Sequence, residues 1–314
     1  MQYVTLGRTG LRVSVMGLGS GGHSRLGQQT GSTPTQSVAI VERALDFGVN
    51  FLDTAEAYHT EAIIGTAIRT RSREELVLST KKTITRADGS LISAQEVIAG
   101  CEASLRRLGT EYVDIYHLHG VRDAVYDDAR NALVPALRQL QQDGKIRFLG
   151  ITEAFAADPP HRMLSRAVHD DCWDVMMVGF NLLNQSARER VFAYTVPKQI
   201  GVLAMFVVRQ ALSRPTHLRQ TIAELVEQGQ VNQDVLDPND PLGFLLHAGG
   251  AESVPDAAYR FCRDEPGVHV VLSGTGNMQH LEENIASIRR PPLPEKDRQQ
   301  LMHLFAKVDT VSGQ

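Results

Sequence analysis

The feature that most constrains the fold of this chain is a regular alternation of short apolar, β-rich segments with amphipathic helical segments. Strands are predicted at residues 13–18, 50–53, 76–80, 113–118, 146–151, 175–178, 202–206 and 268–272. Helices are predicted after them, at residues 36–47, 60–69, 93–108, 129–142, 160–168, 187–194, 255–263 and 278–288. Eight strand–helix units are the number that closes a parallel α/β sheet into a (β/α)8 TIM barrel.

A single barrel domain accounts for the whole of residues 1–314, a length that is ordinary for this architecture. The segment 1–12 precedes the first barrel strand and is predicted to form a β-hairpin that plugs the bottom of the barrel. An extra C-terminal helix is predicted at 295–307, outside the barrel.

A long insertion, residues 213–251, follows the seventh strand and contains an amphipathic stretch at 218–228. Because it begins at the C-terminal face of the barrel, where active sites of this fold lie, it is predicted to be a lid. The alternative is a solvated decoration packed on the side of the barrel.

The net charge of −4 argues against a nucleic-acid-binding surface as the main role. The longest apolar stretches, such as 202–208, are too short to span a bilayer, so no membrane partner is expected. The N-terminal residues lack the apolar core of a signal peptide, and the three cysteines are far apart. These features predict a cytoplasmic protein with reduced thiols.

Four polar side chains follow three of the predicted strands: Asp53, Tyr58, Lys81 and His119. The C-terminal ends of barrel strands gather on one face, so these side chains are expected to converge there. A phenol has an ordinary pKa near 10 and is a poor acid at neutral pH, but a neighbouring ammonium lowers that pKa. Tyr58 is therefore interpreted as a general acid helped by Lys81, with Asp53 orienting Lys81 and His119 hydrogen-bonded to a carbonyl oxygen. The set indicates carbonyl reduction.

Two other interpretations fit the sequence less well. Residues 17–22 match the G-x-G-x-x-G pattern of a Rossmann fold, but twelve polar residues separate them from the next helix, so the phosphate-binding helix start is missing. His117 and His119 point to the same side of one strand and raise the possibility of a metal-dependent hydrolase. The other strand ends supply one carboxylate and no further histidine, so no metal site is predicted.

The chain resembles the aldo-keto reductase superfamily over almost its whole length. The motifs that carry the resemblance are LGRTGL at 6–11, MGLG at 16–19, DTAEAY at 53–58, STK at 79–81, SLRRLGTEYVDIYHLH at 104–119, GKIRFLGIT at 144–152, SGTGN at 273–277 and LEEN at 281–284. The resemblance implies a (β/α)8 barrel, bound NADP(H), and a catalytic tetrad formed by Tyr58, Lys81, Asp53 and His119.

The resemblance also implies a set of cofactor-binding residues. The adenosine phosphates are expected at the loop after the last strand, and the nicotinamide at the ends of the other strands. The set is Ser20, Gly21, Asp53, Thr152, Glu153, Met205, Arg209, Gly274, Thr275, Gly276, Asn277, His280, Glu283 and Asn284.

The nicotinamide pocket departs from the family pattern at three places. Thr152-Glu153 stands where the family usually has Ser-Asn, Met177 where it usually has Gln, and Met205 where an aromatic ring usually stacks on the nicotinamide. Phe206 is expected to supply the missing ring, and Arg209 to contact the pyrophosphate. Three side chains are candidates for the 2′-phosphate, and NADPH is favoured over NADH by the resemblance alone. The candidates are His280, Arg214 and Arg219.

The expected function is NADP(H)-dependent reduction of an aldehyde or ketone to an alcohol, or the reverse reaction on a hydroxyl or sugar substrate. The expected partner is therefore a small molecule. The alternative is a cofactor-binding regulatory protein of the same fold with weak turnover. The substrate, the direction of the reaction and the oligomeric state are not set by the sequence.

Overall fold

Eight parallel strands close into a barrel in the computed structural model, which describes residues 1–314 except for the side chain of Val235. Two antiparallel strands precede the barrel: β1 (Tyr3–Thr5) and β2 (Arg12–Ser14). The barrel strands are β3 (Met16–Gly19), β4 (Phe51–Asp53), β5 (Val77–Thr83), β6 (Val113–Val121), β7 (Ile146–Glu153), β8 (Val175–Gly179), β9 (Gly201–Met205) and β10 (Val270–Ser273). Strand β10 pairs with β3 and closes the ring, so the predicted (β/α)8 barrel is confirmed.

The helices follow the strands as the alternation predicts. They are α1 (Pro34–Asp46), α2 (Glu61–Ile68), α3 (Ala94–Leu108), α4 (Tyr126–Gln142), α5 (Arg162–Ala167), α6 (Ala193–Thr195), α7 (Gln210–Ser213), α8 (Pro215–Glu227), α9 (Val254–Arg263), α10 (Met278–Arg289) and α11 (Glu295–Leu304). A π-helical segment, Arg188–Phe192, leads into α6. Within the described residues, none of the helices has the length and apolar content needed to cross a membrane.

The first predicted strand, 13–18, is two strands in the structure. Its first part belongs to β2, which pairs antiparallel with β1. Its second part belongs to β3, which pairs in parallel with β4 and β10. The chain therefore leaves one sheet and enters the other between β2 and β3. The sequence does not show this break, because both parts are buried and apolar.

The N-terminal hairpin closes the bottom of the barrel. Leu6, Leu11 and Val13 are buried in one apolar cluster with side chains from inside the barrel, including Phe51 and Val77. This packing removes the lower end of the barrel core from water, as expected for a plug.

The insertion 213–251 begins at the cleft and then leaves it. Ser213 and Arg214 line the cleft that is described below. The apolar side chains of α8, Leu218, Ile222 and Leu225, are buried in the main core cluster. In this arrangement the apolar face of the helix is packed against the protein, and closure of the segment over the site stays a prediction.

The plug gives a stability prediction. Leu6 is fully buried, so we expect Leu6→Ala to lower the free energy of unfolding by about 2–5 kcal/mol, the usual cost of a buried leucine truncation. Urea denaturation measures this loss. Leu246→Ala is the matched control, because Leu246 is 44% exposed and its truncation should change stability little. Equal effects of the two variants would contradict a buried plug.

Candidate active site

The C-terminal ends of the barrel strands surround one large cleft of about 1170 Å³. Three of the four predicted catalytic residues, Asp53, Tyr58 and His119, line it. The fourth, Lys81, is fully buried directly beneath it, where it bonds to Asp53. The structure therefore brings all four side chains together from β4, the loop after it, β5 and β6.

The centre of the site is a buried ion pair. Lys81 Nζ lies 2.7 Å from Asp53 Oδ1 and 2.6 Å from Asp53 Oδ2, and it also donates to the carbonyl oxygen of Thr54 at 2.7 Å. Three acceptors match the three hydrogens of an ammonium group, so the geometry is that of a charged lysine. Asp53 opposes that charge and orients it.

The phenol and the imidazole meet at the mouth of the site. Tyr58 Oη and His119 Nε2 are 3.3 Å apart, and the two rings meet edge to face with centroids 5.5 Å apart. Lys81 Nζ lies 5.0 Å from the centroid of the Tyr58 ring. A carbonyl oxygen beside this pair would face a hydroxyl donor and a ring nitrogen together.

Burial controls the protonation of these groups. It raises the pKa of Tyr58 above its ordinary value, while the positive charge of Lys81 acts in the opposite direction. The prediction of a lowered pKa was therefore wrong in its net direction, because the loss of hydration outweighs the ammonium. Burial, followed by the charge of Lys81, lowers the pKa of His119 to about 3, so this ring is neutral at physiological pH.

A second histidine on β6 has a different environment. His117 Nε2 lies 3.1 Å from Ser79 Oγ, and the ring packs against Gly150 of β7. Its neighbour on the same face, His119, contacts Tyr58 instead. Within the described residues, no three His, Cys, Asp or Glu side chains are grouped so that they could hold a metal ion.

The loop after β10 forms one end of the cleft. Of the residues predicted for the adenosine phosphates, five line it: Gly274, Thr275, His280, Glu283 and Asn284. Two predicted residues face elsewhere. Gly276 packs against Gly27, whose backbone nitrogen would lie 2.2 Å from an added Cβ, and Asn277 caps α10 by accepting from the His280 N–H at 3.1 Å. These two contacts hold the loop in shape.

Most of the remaining predicted residues lie at the part of the cleft that Tyr58 and His119 line. Gly21, Thr152, Glu153, Met205 and Arg209 line the cleft. The side chain of Ser20 does not, since its hydroxyl bonds to Thr60 Oγ1 at 2.7 Å and the residue is fully buried. Sequence position alone could not show which way this serine turns.

Glu153, one of the residues that depart from the family pattern, is held inside the wall of the cleft. Its side chain is fully buried, 2.9 Å from His161 Nδ1, and it accepts from the backbone N–H of Gly179 at 2.7 Å. Burial raises its pKa, and His161 opposes that shift. Phe155 stacks on His161 with centroids 5.1 Å apart. Glu153 thus belongs to the lining of the cleft, but its carboxylate is buried against His161 and supports an aromatic wall.

Arg209 is a cation in the cleft, close enough to Tyr58 for its charge to oppose the rise that burial causes in the pKa of the phenol. Its guanidinium lies over the ring of Phe206, 4.1 Å from the centroid, and burial lowers its pKa. Among the described residues it makes no salt bridge, although it lines the cleft. A partly buried cation that faces a cavity is suited to an anionic group of a ligand.

Several cleft residues were missed by the sequence prediction. They include His23, Ser24, Phe155, Tyr259, Ser253 and Gln314. Phe155 follows a predicted strand end, and that position was a usable signal. Gln314 reaches the cleft because Asn181 and Asn184 hold the preceding backbone carbonyls at 3.1 and 2.9 Å, a long-range contact that no local pattern reveals.

This chain is similar to known proteins over most of its length. The model of the Aldo/keto reductase family matches residues 16–304. An uncharacterized oxidoreductase of Bacillus subtilis (strain 168), YqkF, is 26% identical over 300 residues, which are 93% of this chain and 92% of that protein. L-galactose dehydrogenase of Arabidopsis thaliana is 26% identical over 318 residues, 98% of this chain and 94% of that enzyme.

Solved structures agree in fold. The holo form of the aldo-keto reductase AKR11C1 from Bacillus halodurans superposes with a TM-score of 0.75 at 23% identity, covering 99% of this chain and 98% of that one. The family match extends through all eight barrel strands and the helix α11. The chain is therefore an oxidoreductase that belongs to the aldo/keto reductase family.

Proposed function

We propose that this protein reduces an aldehyde or ketone to an alcohol with NADPH, or runs the reverse reaction on a hydroxyl or sugar substrate. Aldo-keto reductases act on small carbonyl compounds and generally use NAD(P)H. The observation that carries the proposal is the buried Lys81 ammonium beneath Tyr58, with His119 Nε2 3.3 Å from the phenol oxygen. This arrangement can supply a proton to an oxygen that becomes an alkoxide.

Each catalytic side chain has one task in the proposed reaction. Tyr58 donates its proton to the carbonyl oxygen of the substrate. Lys81 stabilises the phenolate that remains, because its charge favours the deprotonated form. Asp53 keeps Lys81 charged and fixed, and neutral His119 orients the carbonyl oxygen without adding a charge.

The cleft fits an extended dinucleotide. Gly274 lies so close to Gly19 that an added Cβ would be 2.6 Å from the carbonyl oxygen of Gly19, which leaves backbone rather than side chains at this edge. The N-terminus of α10 follows and suits a phosphate. Arg209 would face the pyrophosphate, with Phe206 beside the nicotinamide and Glu283 and Asn284 near the adenosine. Bound NADPH would supply the hydride.

A second candidate is a regulatory protein that holds the cofactor and turns over poorly. The observation in its favour is the altered wall, in which Glu153 is committed to His161 and two methionines, Met177 and Met205, line the cleft. NADPH consumption over a panel of carbonyl compounds separates the two. L-galactose belongs in a parallel assay with NADP+ that follows NADPH formation, because one relative is an L-galactose dehydrogenase.

The proton donor gives the first kinetic prediction. Tyr58→Phe removes the hydroxyl and keeps the ring, so we expect carbonyl reduction to fall by about 10²- to 10⁴-fold while NADPH affinity survives. Tyr116→Phe is the control, because its buried hydroxyl has no partner among the described residues. A Tyr58→Phe enzyme as fast as the Tyr116→Phe enzyme would show that another group is the acid.

The Lys81 charge gives a pH prediction. Reduction needs the protonated phenol, so its rate falls as the pH rises through the pKa of Tyr58. Lys81 lowers that pKa, and Lys81→Met should therefore slow the reaction and move the falling limb of the pH–rate profile to higher pH. Lys82→Met is the control, because Lys82 pairs with Glu56 at 2.5 Å and is absent from the tetrad. An unchanged limb in Lys81→Met would refute the coupling.

The cofactor gives a binding prediction. Arg214 and His280 line the cleft and Arg219 does not. We expect NADPH to bind more tightly than NADH, and Arg214→Met to weaken NADPH by about 10-fold with little effect on NADH, the size of one charge-assisted hydrogen bond. Fluorescence titration measures both, with Arg219→Met as the control. Equal affinities of the wild type for the two cofactors would mean that no 2′-phosphate pocket exists.

A further inference from the structure

A line of hydrogen bonds extends from the catalytic ion pair into the barrel. Lys81 Nζ and Ser79 Oγ both donate to Asp53 Oδ1, at 2.7 and 2.8 Å. His117 Nε2 lies 3.1 Å from the same Ser79 oxygen. The four side chains are almost wholly shielded from solvent, with His117 and Lys81 at 0%, Ser79 at 1% and Asp53 at 3% exposure.

The strands explain why these side chains meet. Ser79 lies two residues before Lys81 on β5, and His117 lies two residues before His119 on β6, so each pair points to one face. The register places Lys81 opposite His117. Residue order and register together bring Ser79 and His117 next to the Lys81–Asp53 pair, inside the barrel.

Proton counting gives the direction of the bonds. Lys81 donates to three acceptors and is an ammonium, so Asp53 is its ionised partner and can only accept. Ser79 has one hydrogen, which goes to Asp53. The Ser79 oxygen must then accept from His117, whose Nε2 carries the proton.

The other ring nitrogen agrees with this tautomer. His117 Nδ1 is buried and meets the geometric criteria for no hydrogen bond among the described residues, which agrees with an unprotonated nitrogen. It faces Gly150 of β7, where an added Cβ would lie 2.2 Å from Nδ1. The glycine therefore makes room for this ring.

His117 supplies a donor without supplying a charge. Burial holds the pKa of His117 well below the ordinary value. The charge of Lys81 on β5 and the nearby His119 act in the same direction, and a hydrogen bond with the backbone of Ile151 on β7 opposes them. The ring therefore stays neutral when Asp53 is ionised. Burial raises the pKa of Asp53, and the charge and hydrogen bond of Lys81 and the hydrogen bond of Ser79 oppose that shift.

We propose that Ser79 and His117 are positioning residues for the reaction, which keep Asp53 ionised and oriented toward Lys81. They act through a chain of hydrogen bonds that runs from His117 to Ser79, from Ser79 to Asp53 and from Asp53 to Lys81. This inference rests on the proposed function. It adds two residues that do not touch the substrate to the four that form the tetrad. They act because a buried carboxylate needs hydrogen-bond donors to remain charged.

Kinetics of three variants test the proposal. His117→Leu and Ser79→Ala remove the donors, so kcat should fall about 10-fold with the KM for NADPH unchanged. Loss of a donor raises the pKa of Asp53, so the acid limb of the pH–rate profile should move to higher pH. His117→Gln keeps an N–H near the position of Nε2, so it should restore kcat to within about 3-fold of the wild type and return the acid limb toward its wild-type pH. Exposed His169→Leu is the control.

The outcomes are decisive in both directions. Wild-type kcat and acid limb in Ser79→Ala would overturn the proposal, and so would equal losses in His117→Gln and His117→Leu, since these would indicate packing alone. If His117→Leu fails to fold by circular dichroism, Ser79→Ala and His117→Gln decide.

A nuclear magnetic resonance measurement separates this proposal from the proposed function. In ¹⁵N-labelled protein, the His117 ring should show a protonated Nε2 and an unprotonated Nδ1 between pH 6 and 8, whether or not any carbonyl compound is reduced. The opposite tautomer would overturn the hydrogen-bond direction. The expected tautomer together with an inactive wild type would instead refute the proposed reductase activity.

Discussion

The ammonium group of Lys81 is the constraint around which the site is organised. A charged lysine inside a barrel is unstable unless every hydrogen of the ammonium is accepted and its charge is opposed. The two Asp53 oxygens and the Thr54 carbonyl meet that requirement. All three acceptors come from β4 and the residue after it, so the pairing of β4 with β5 positions the chemistry as well as the barrel.

Much of the fold and the centre of the site were predictable because they depend on local periodicity. Strand ends of a parallel barrel share one face, so Asp53, Lys81 and His119 could be placed from residue order alone. Tyr58 follows β4 closely enough to be included. The division of the first strand into β2 and β3 was missed, because both parts are apolar and only their partners differ.

The remaining features depend on contacts between distant parts of the chain. Ser20 turns into the protein to meet Thr60, and Gln314 reaches the cleft through two asparagines more than a hundred residues earlier. Glu153 was predicted to bind the cofactor, and in the structure its carboxylate contacts the buried His161. His161 has a left-handed backbone conformation, with φ of 57°. Burial and partner choice of this kind are tertiary properties that composition and spacing do not encode.

The plug has a consequence for how the chain matures on the ribosome. The guanidinium of Arg8 donates to the carbonyl oxygen of Trp173 at 2.7 Å, a partner 165 residues later in the chain. At ordinary translation speeds that partner is synthesised roughly 10 to 30 s after the hairpin. Of the apolar side chains that cover the hairpin, Phe51 and Val77 are synthesised early, whereas Leu203 and Val270 are synthesised after Trp173. The hairpin therefore reaches its full set of neighbours only after the last barrel strands have been synthesised.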